Sequence, residues 1–423
     1  MTQDTLVLDG SRKGYPLAAA PCSPDQIGAQ GWNLHRGDLP YPIAVLDAEA
    51  LEHNLRWMQA FAQSRGIVFA PHGKTTMSPQ IFRRQLDAGA WGLTFATVWQ
   101  ASVGIRAGAR RVIIANQVVA DADFDGLAAL LDAHADLRVW FLVDSAAQVE
   151  RIEHWAQRRD RQTPLDCLLE IGVSGQRTGC RTGQQALALA QRIHDSSALR
   201  LGGIECYEGG LATCDLHGDQ AAVTAFLDAV RDITQDCDRA GLFQDEAIIL
   251  SAGGSAVFDV VAPALRAAVS KPLRGVLRSG CYIAHDHGFY AGFLRHIKTR
   301  TGLDDSLRPA LSVWAMVQSV PEPGLALLGC GKRDISFDLS LPQPIRLAPC
   351  GASADQPAPQ GWSVTALNDH HAYLRFDPAG PTPAVGDRVA LGISHPCTTF
   401  DKWSWMPLLS SQGDVVGAIT IEF

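Results

Sequence analysis

No apolar run in this 423-residue chain approaches the roughly 18–20 residues that a bilayer crossing needs, so no membrane span is expected. Positive charge is in short supply: 36 Lys and Arg stand against 44 Asp and Glu, a net charge of −8. A nucleic-acid partner would call for the opposite excess, so none is expected. The ten cysteines are scattered singly, and no two form a CxxC pair. That spacing fits reduced thiols in a cytoplasm and argues against a disulfide frame. The opening stretch, MTQDTLVLDGSRKG, has no charged start followed by an apolar core, so no signal peptide is expected. Internal repeats and low-complexity tracts are also missing. So is a GxGxxG turn after the first strand, which a doubly wound dinucleotide fold would carry.

What remains is globular composition, with 47% hydrophobic and 19% charged residues. A chain of this size buries roughly three quarters of its unfolded surface and needs no staples. Its length suits about two or three domains, or one (β/α)8 barrel of roughly 250 residues with a smaller partner domain.

The middle of the chain alternates short apolar runs with helical patterns. Eight runs read as strands: 67–70, 92–96, 111–115, 138–143, 165–171, 201–206, 247–251 and 275–277. Ser145 with Gln148, and Thr182 with Gln185, form capping-box patterns before apolar residues at helical spacing. Alternating elements at this spacing predict a parallel sheet, and eight of them favour a closed barrel. A strand at 42–46 precedes it, then a helix capped by Asp47 with Leu51, Leu55, Met58 and Phe61 as its buried stripe. Beyond about residue 303 helical periodicity fades, while Pro and Gly cluster. Short runs at 310–320, 325–329, 371–376, 388–393 and 415–421 read as an all-β domain, with 356–361 as a loop. The expected limits are an N-terminal segment, 1–40, joined to the β domain, a barrel at 41–302, and the β domain at 303–423.

Three stretches carry chemistry. The first is Phe69-Ala-Pro-His-Gly-Lys-Thr-Thr-Met77, directly after the first barrel strand. Barrel active sites gather at the C-terminal ends of strands, and a lysine there can form a Schiff base. The bland reading of Lys74 is a solvated loop residue. The second is Ser251-Ala-Gly-Gly-Ser-Ala256, after the seventh run. Its glycines, with Ser255 at a helix start, can present backbone N–H groups to an anion. A plain turn looks the same. The third is His395-Pro-Cys397 in the β domain. Two residues apart on an extended segment, imidazole and thiolate face one side and suit Zn2+ or another divalent metal, with positions left open for water and substrate.

With Gln176-Arg-Thr-Gly179 and Cys206-Tyr-Glu208, these motifs occur in one order over essentially the whole chain. Together they resemble the fold-type III pyridoxal 5'-phosphate (PLP) enzymes, and within them the D-serine dehydratase and D-threonine aldolase branch. The resemblance implies an alanine racemase-like α/β architecture: a PLP-holding barrel and a β domain that completes the site, usually across a homodimer. It implies Lys74 as the cofactor's attachment point and the base at Cα. It implies Arg177 near the cofactor ring and Tyr207 beside the pyridine nitrogen. Gly253, Gly254 and Ser255, with Gly280 and Tyr282, would form the phosphate cup, and His395 and Cys397 would hold the metal. The implied reaction is dehydration and deamination of D-serine or a related D-β-hydroxy amino acid to a 2-oxo acid and ammonia. Aldolase-type Cα–Cβ cleavage is the alternative. The stretch Glu170-Ile-Gly-Val-Ser-Gly-Gln-Arg177 departs from the branch's Asp-x-Gly-x-x-Arg, and His-x-Cys replaces the His-x-Asp of many aldolases, which tilts the expectation towards dehydration and zinc. A lone PLP-carrying barrel is a further reading, but it lacks the β domain and its metal pair.

Other signals have bland readings that weigh more. His285-Asp-His287 reads as a polar loop. His72 reads as a local hydrogen-bonding residue, and Asn368 to His371 as a turn that could also support a metal ligand. Trp403 and Trp405 read as core, and the remaining cysteines as small buried hydrophobes.

Overall fold

The computed structural model describes residues 7–423; residues 1–6, the start of the expected N-terminal segment, lie outside them. The first strand, β1 (Ile43–Asp47), leads into helix α1 (Ala48–Ser64). Asp47 caps that helix by accepting the Ala50 N–H at 2.8 Å, and Leu51, Leu55, Met58 and Phe61 form its buried stripe.

All eight strands read from the apolar runs form one parallel sheet: β2 (Val68–Phe69), β3 (Leu93–Phe95), β4 (Arg111–Gln117), β5 (Arg138–Val143), β6 (Leu165–Ile171), β7 (Leu199–Cys206), β8 (Ile248–Ala252) and β9 (Leu273–Leu277). Pairing runs β2-β9-β8-β7-β6-β5-β4-β3. The ring closes between its ends, where Trp91 N–H donates to Phe69 O at 2.8 Å and Thr94 N–H to Pro71 O at 2.9 Å. Seven inward side chains fill the barrel: Ala70, Ile113, Trp140, Leu142, Leu168, Ile249 and Val276. Arg138 and Arg200 pair with Asp166 and Asp245 where β5 to β7 begin. This plugs the N-terminal mouth and leaves the C-terminal mouth for the site.

Of the two capping patterns, Thr182 accepts the Gln185 N–H at 3.2 Å. Ser145 makes no side-chain cap, because Gln148 turns inward to donate to Leu142 O and Val118 O.

The remaining strands are β10 (Leu311–Glu322), β11 (Leu325–Leu328), β12 (Gln343–Ala348), β13 (Gln356–Pro357), β14 (Ser363–Leu367), β15 (Ala372–Arg375), β16 (Arg388–Gly392), β17 (Trp405–Leu409) and β18 (Val415–Thr420). They form a mainly antiparallel sheet with the path β13-β12-β16-β10-β1-β17-β18. β1 falls inside the residues expected for the barrel, yet it pairs antiparallel with β10 and parallel with β17. Leu8, Tyr15, Ile27 and Leu34 pack with Trp405 and Val415. The C-terminal end returns to the barrel: Glu422 N–H donates to Met77 O at 2.9 Å, and Gln80 Nε2 to Thr420 Oγ1 at 3.0 Å.

No helix among the described residues is long and apolar enough to cross a membrane. All ten cysteines are free.

Candidate active site

A cavity of about 430 Å3 lies at the C-terminal mouth of the barrel. Lys74, Arg177, Tyr207, Gly253, Ser255 and Gly280 line it from the barrel, and His395 and Cys397 from the β domain. Residues that were read from separate motifs therefore share one space.

Lys74 sits in a single 3-10 turn, Gly73–Thr75, just past β2. The imidazole of His72 accepts the Lys74 N–H at 3.4 Å and fixes that turn. Position 73 admits only glycine, since a Cβ there would lie 2.4 Å from the Phe95 ring. The turn thus sits on the aromatic core while the lysine stem opens into the cavity. Burial, with the cations Lys74, Arg278 and Arg177 around it, holds His72 neutral.

Arg177 stacks on Tyr207, its guanidinium carbon 4.2 Å from the ring centroid. Burial, reinforced by the neighbouring Glu208, raises the Tyr207 pKa and keeps the phenol neutral. Beneath them Arg278 and Glu205 form a buried ion pair, two residues that the motif reading passed over. Burial pushes Glu205 up to about 8, with Arg278 opposing and Glu170 and Glu208 adding to the rise. Glu205 Oε2 and Arg278 Nε have no protein partner, and both residues line the cavity. Unpaired buried polar atoms are costly, so this floor suits a polar ligand.

The Gly-Gly-Ser turn differs from its expected form. Gly253 and Gly254 N–H groups already donate to the buried Glu208 carboxylate, at 3.1 and 2.6 Å. The following helix begins only at Phe258, so Ser255 does not open it. Ser255 and Gly280 remain as the cradle facing the cavity. Gly254 has φ +74°, and a Cβ on it would press on Leu277 at 2.4 Å, so the turn requires glycine there. A Cβ at Gly280 would come within 2.7 Å of His72 O. Tyr282 is absent from the cavity wall. The 3-10 turn Cys281–Ile283 aims it into the core, where its hydroxyl accepts from Gln85 Nε2 at 3.0 Å.

The metal pair was read on an extended segment. The strand instead ends at Gly392, and Cys397 opens a helical turn, Cys397–Phe400. That turn still brings its thiol beside the His395 ring, and a third group joins them. Sγ of Cys281, read from sequence as a small buried hydrophobe, lies 3.6 Å from Sγ of Cys397. Candidate ligand atoms of Cys281, His395 and Cys397 all fall within 4.8 Å of one another. Thr75 Oγ1 lies 3.4 Å from Cys397 Sγ and 3.7 Å from Cys281 Sγ, which ties this cluster to the residue next to Lys74.

His395 Nδ1 meets Asp338 Oδ2 at 2.7 Å, and Thr398 Oγ1 donates to the other carboxylate oxygen at 2.7 Å. Asp338 thereby orients the ring and leaves Nε2 available to a ligand. Burial opposes charge on His395, yet its bonds to Cys397 and Asp338 raise its pKa to about 9. The Cys281 hydrogen bond lowers Cys397 in turn, against burial and with help from His395. A thiolate beside an oriented imidazole is a donor set for a soft or borderline divalent ion. Asp338→Asn is expected to weaken metal retention roughly 10–100-fold, as measured by chelator competition. An unchanged affinity would remove Asp338 from this role.

The weaker signals resolve as structure. The Asp286 carboxylate accepts the N–H groups of Gly288, Tyr290 and Ala291 and caps the helix Phe289–Thr301. His287 packs on Gly392, and neither it nor His285 lines the cavity. Trp403 and Trp405 are core, their indoles donating to Asp334 O and Lys13 O at 2.9 Å. His370 and His371 are exposed, and Asp338 occupies the supporting position that their cluster could have filled.

Comparison with known proteins gives a consistent picture. The family described as the alanine racemase N-terminal domain matches residues 46–266, and the serine dehydratase domain matches residues 310–409. A D-threonine aldolase of Arthrobacter sp. is 28% identical over 370 residues, covering 85% of this chain and 86% of that protein. The D-threo-3-hydroxyaspartate dehydratase of Delftia sp. (strain HT23) is 25% identical over 390 residues, covering 89% and 96%. The crystal structure of D-threonine aldolase from Filomicrobium marinum superposes with a TM-score of 0.75 at 23% identity, over 92% of this chain and 97% of that one.

Proposed function

Because the chain belongs to the family of the alanine racemase N-terminal domain, the fold-type III PLP enzymes, we propose that it is a PLP-dependent lyase of D-β-hydroxy amino acids. The reaction we assign is dehydration and deamination of D-serine or a related substrate to a 2-oxo acid and ammonia, assisted by zinc. One observation carries this reading: Lys74 and the His395–Cys397 pair open onto the same cavity.

The residues present fit the cofactor. Lys74 would hold it covalently, Arg177 and Tyr207 would flank its ring, and Ser255 and Gly280 would receive its phosphate. The unpaired atoms of Glu205 and Arg278 offer polar contacts below. PLP, when bound, supplies an electron sink for charge developing at Cα. Lys74 Nζ is then the base that takes the Cα proton. His72, held neutral, adds no competing charge beside that amine.

The second half of the task is to help a hydroxyl leave. His395 and Cys397 would hold a divalent ion on the wall across from the barrel strands, and such an ion supplies Lewis-acid assistance to a β-hydroxyl. Asp338 fixes the ring that presents it. The thiolate donor favours zinc over harder ions.

Likeness to D-threonine aldolase favours a second reading, in which a base takes the β-hydroxyl proton and Cα–Cβ breaks. Product analysis with D-threonine, with and without added zinc, decides between them. 2-Oxobutyrate and ammonia, dependent on zinc, are expected. Glycine and acetaldehyde would establish the aldolase reading. No product from D-threonine or D-serine would overturn both.

A second copy of the chain is the partner that this reading calls for. Phe289 and Leu339 line the cavity but are 37% and 46% exposed, apolar surface that a homodimer would cover. Sedimentation should show a dimer; a monomer at working concentration would refute it.

A further inference from the structure

We propose that Cys281 is a third protein ligand of the metal, so that the site is His–Cys–Cys with one coordination position left for substrate. This rests on the metal reading above and sharpens it. Cys281 comes from the barrel, directly after the Gly280 cradle, whereas His395 and Cys397 come from the β domain. The two sulfurs stand 3.6 Å apart. A disulfide needs about 2.05 Å. Two sulfurs on one tetrahedral zinc, each at about 2.3 Å, stand about 3.8 Å apart. The pair is therefore spaced as the edge of a coordination tetrahedron, and the His395 ligand atom completes a face, since all three lie within 4.8 Å of one another.

Burial supports the assignment. Cys281 is 5% exposed, but its thiol faces Thr75 and Cys397, the polar side of the cavity wall, not the apolar core. Thr75 Oγ1 lies 3.4 Å from Cys397 Sγ and 3.7 Å from Cys281 Sγ, so both sulfurs face one polar spot of the wall.

Two chemical consequences follow. Two thiolates cancel the charge of a divalent ion, so the metal is held more tightly but is a milder Lewis acid than one bound by a single thiolate. Three protein ligands also leave tetrahedral zinc one open position, which places the substrate's β-hydroxyl in competition with a single water. The site should reject Mg2+ and Mn2+, which prefer oxygen donors, in favour of Zn2+, Co2+ and Cd2+.

Cobalt substitution tests the ligand count without any turnover. Metal-stripped, PLP-loaded protein is titrated with Co2+, and the near-ultraviolet thiolate-to-cobalt charge-transfer band is compared across wild type, Cys281→Ser and Cys397→Ser. Zinc affinity is read beside it by competition with a chromophoric chelator. The expected result is a two-thiolate band in wild type, a one-thiolate band in each variant, and roughly tenfold or greater loss of zinc affinity in Cys281→Ser. The cofactor's visible band serves as the check that each variant is folded. X-ray absorption of the zinc-loaded wild type gives the sulfur count directly, should a variant fail to fold. A wild-type band of one thiolate, kept in Cys281→Ser and lost in Cys397→Ser, overturns the third ligand and leaves the metal site standing. No thiolate band in wild type overturns both.

Discussion

Lys74→Ala is expected to remove the cofactor's visible absorption band and lower kcat by more than about 10^3-fold, since the proposed mechanism gives one residue both attachment and proton transfer. The geometry makes this a local loss. The lysine stem is exposed to the cavity, while Gly73 and Thr75 on either side are buried and hold the turn. Alanine fits this position without disturbing Phe82 or Phe95, so the melting temperature should barely move. The check is an absorption spectrum of protein refolded or dialysed with PLP, alongside turnover. A variant that keeps the band would show that another lysine carries the cofactor, and its chemistry would have to be sought elsewhere.

Cys397→Ala should behave in the opposite way, with the visible band kept and metal-dependent turnover gone. The expected fall in kcat is about 10^2–10^4-fold, the scale at which losing Lewis-acid assistance acts. Removing zinc from wild type with a chelator should give the same phenotype, and re-adding zinc should restore wild type but not the variant. The contrast separates two halves of one site, because Lys74 lies on the barrel and Cys397 on the β domain. If the variant keeps full metal-dependent activity, the pair is not the metal centre and the leaving-group argument fails with it.

The barrel was legible because its signal is local. Eight apolar runs, each followed by a loop and several by amphipathic helices, carry the same message along the chain, and all eight strands lie where they were read. The β domain was harder to read. β12 and β17 each carry a proline, Pro344 and Pro407, and β14 has five residues, so neither length nor alternation marks them. The strand at 42–46 precedes the eight barrel runs yet falls within the expected limits 41–302, because its neighbours in sequence are barrel elements, whereas its partners are β10 and β17.

The site shows the same division. Lys74, His395 and Cys397 stood out through short motifs. Asp338 and Cys281 had none: each reaches the His395–Cys397 pair only through tertiary folding, 57 residues from His395 and 116 residues from Cys397. Tyr282 failed for a geometric reason. A single 3-10 turn after Gly280 sends consecutive side chains in different directions, so Cys281 meets the β domain while Tyr282 meets Gln85.

The mixed parentage of β1 bears on how the protein is made. Ile43 pairs with Trp314 of β10, 271 residues further along the chain, and Leu46 lies opposite Leu408 of β17, 362 residues further along. The eight barrel strands pair with one another and not with β1. Pairings this distant in sequence form slowly. β10 and β17, which follow the barrel in the chain, therefore complete the sheet, and with it the wall that carries His395 and Cys397. A chain cut short before β17 would keep Lys74 and the barrel strands but lose the strand that pairs with β1 just beyond the turn carrying His395 and Cys397.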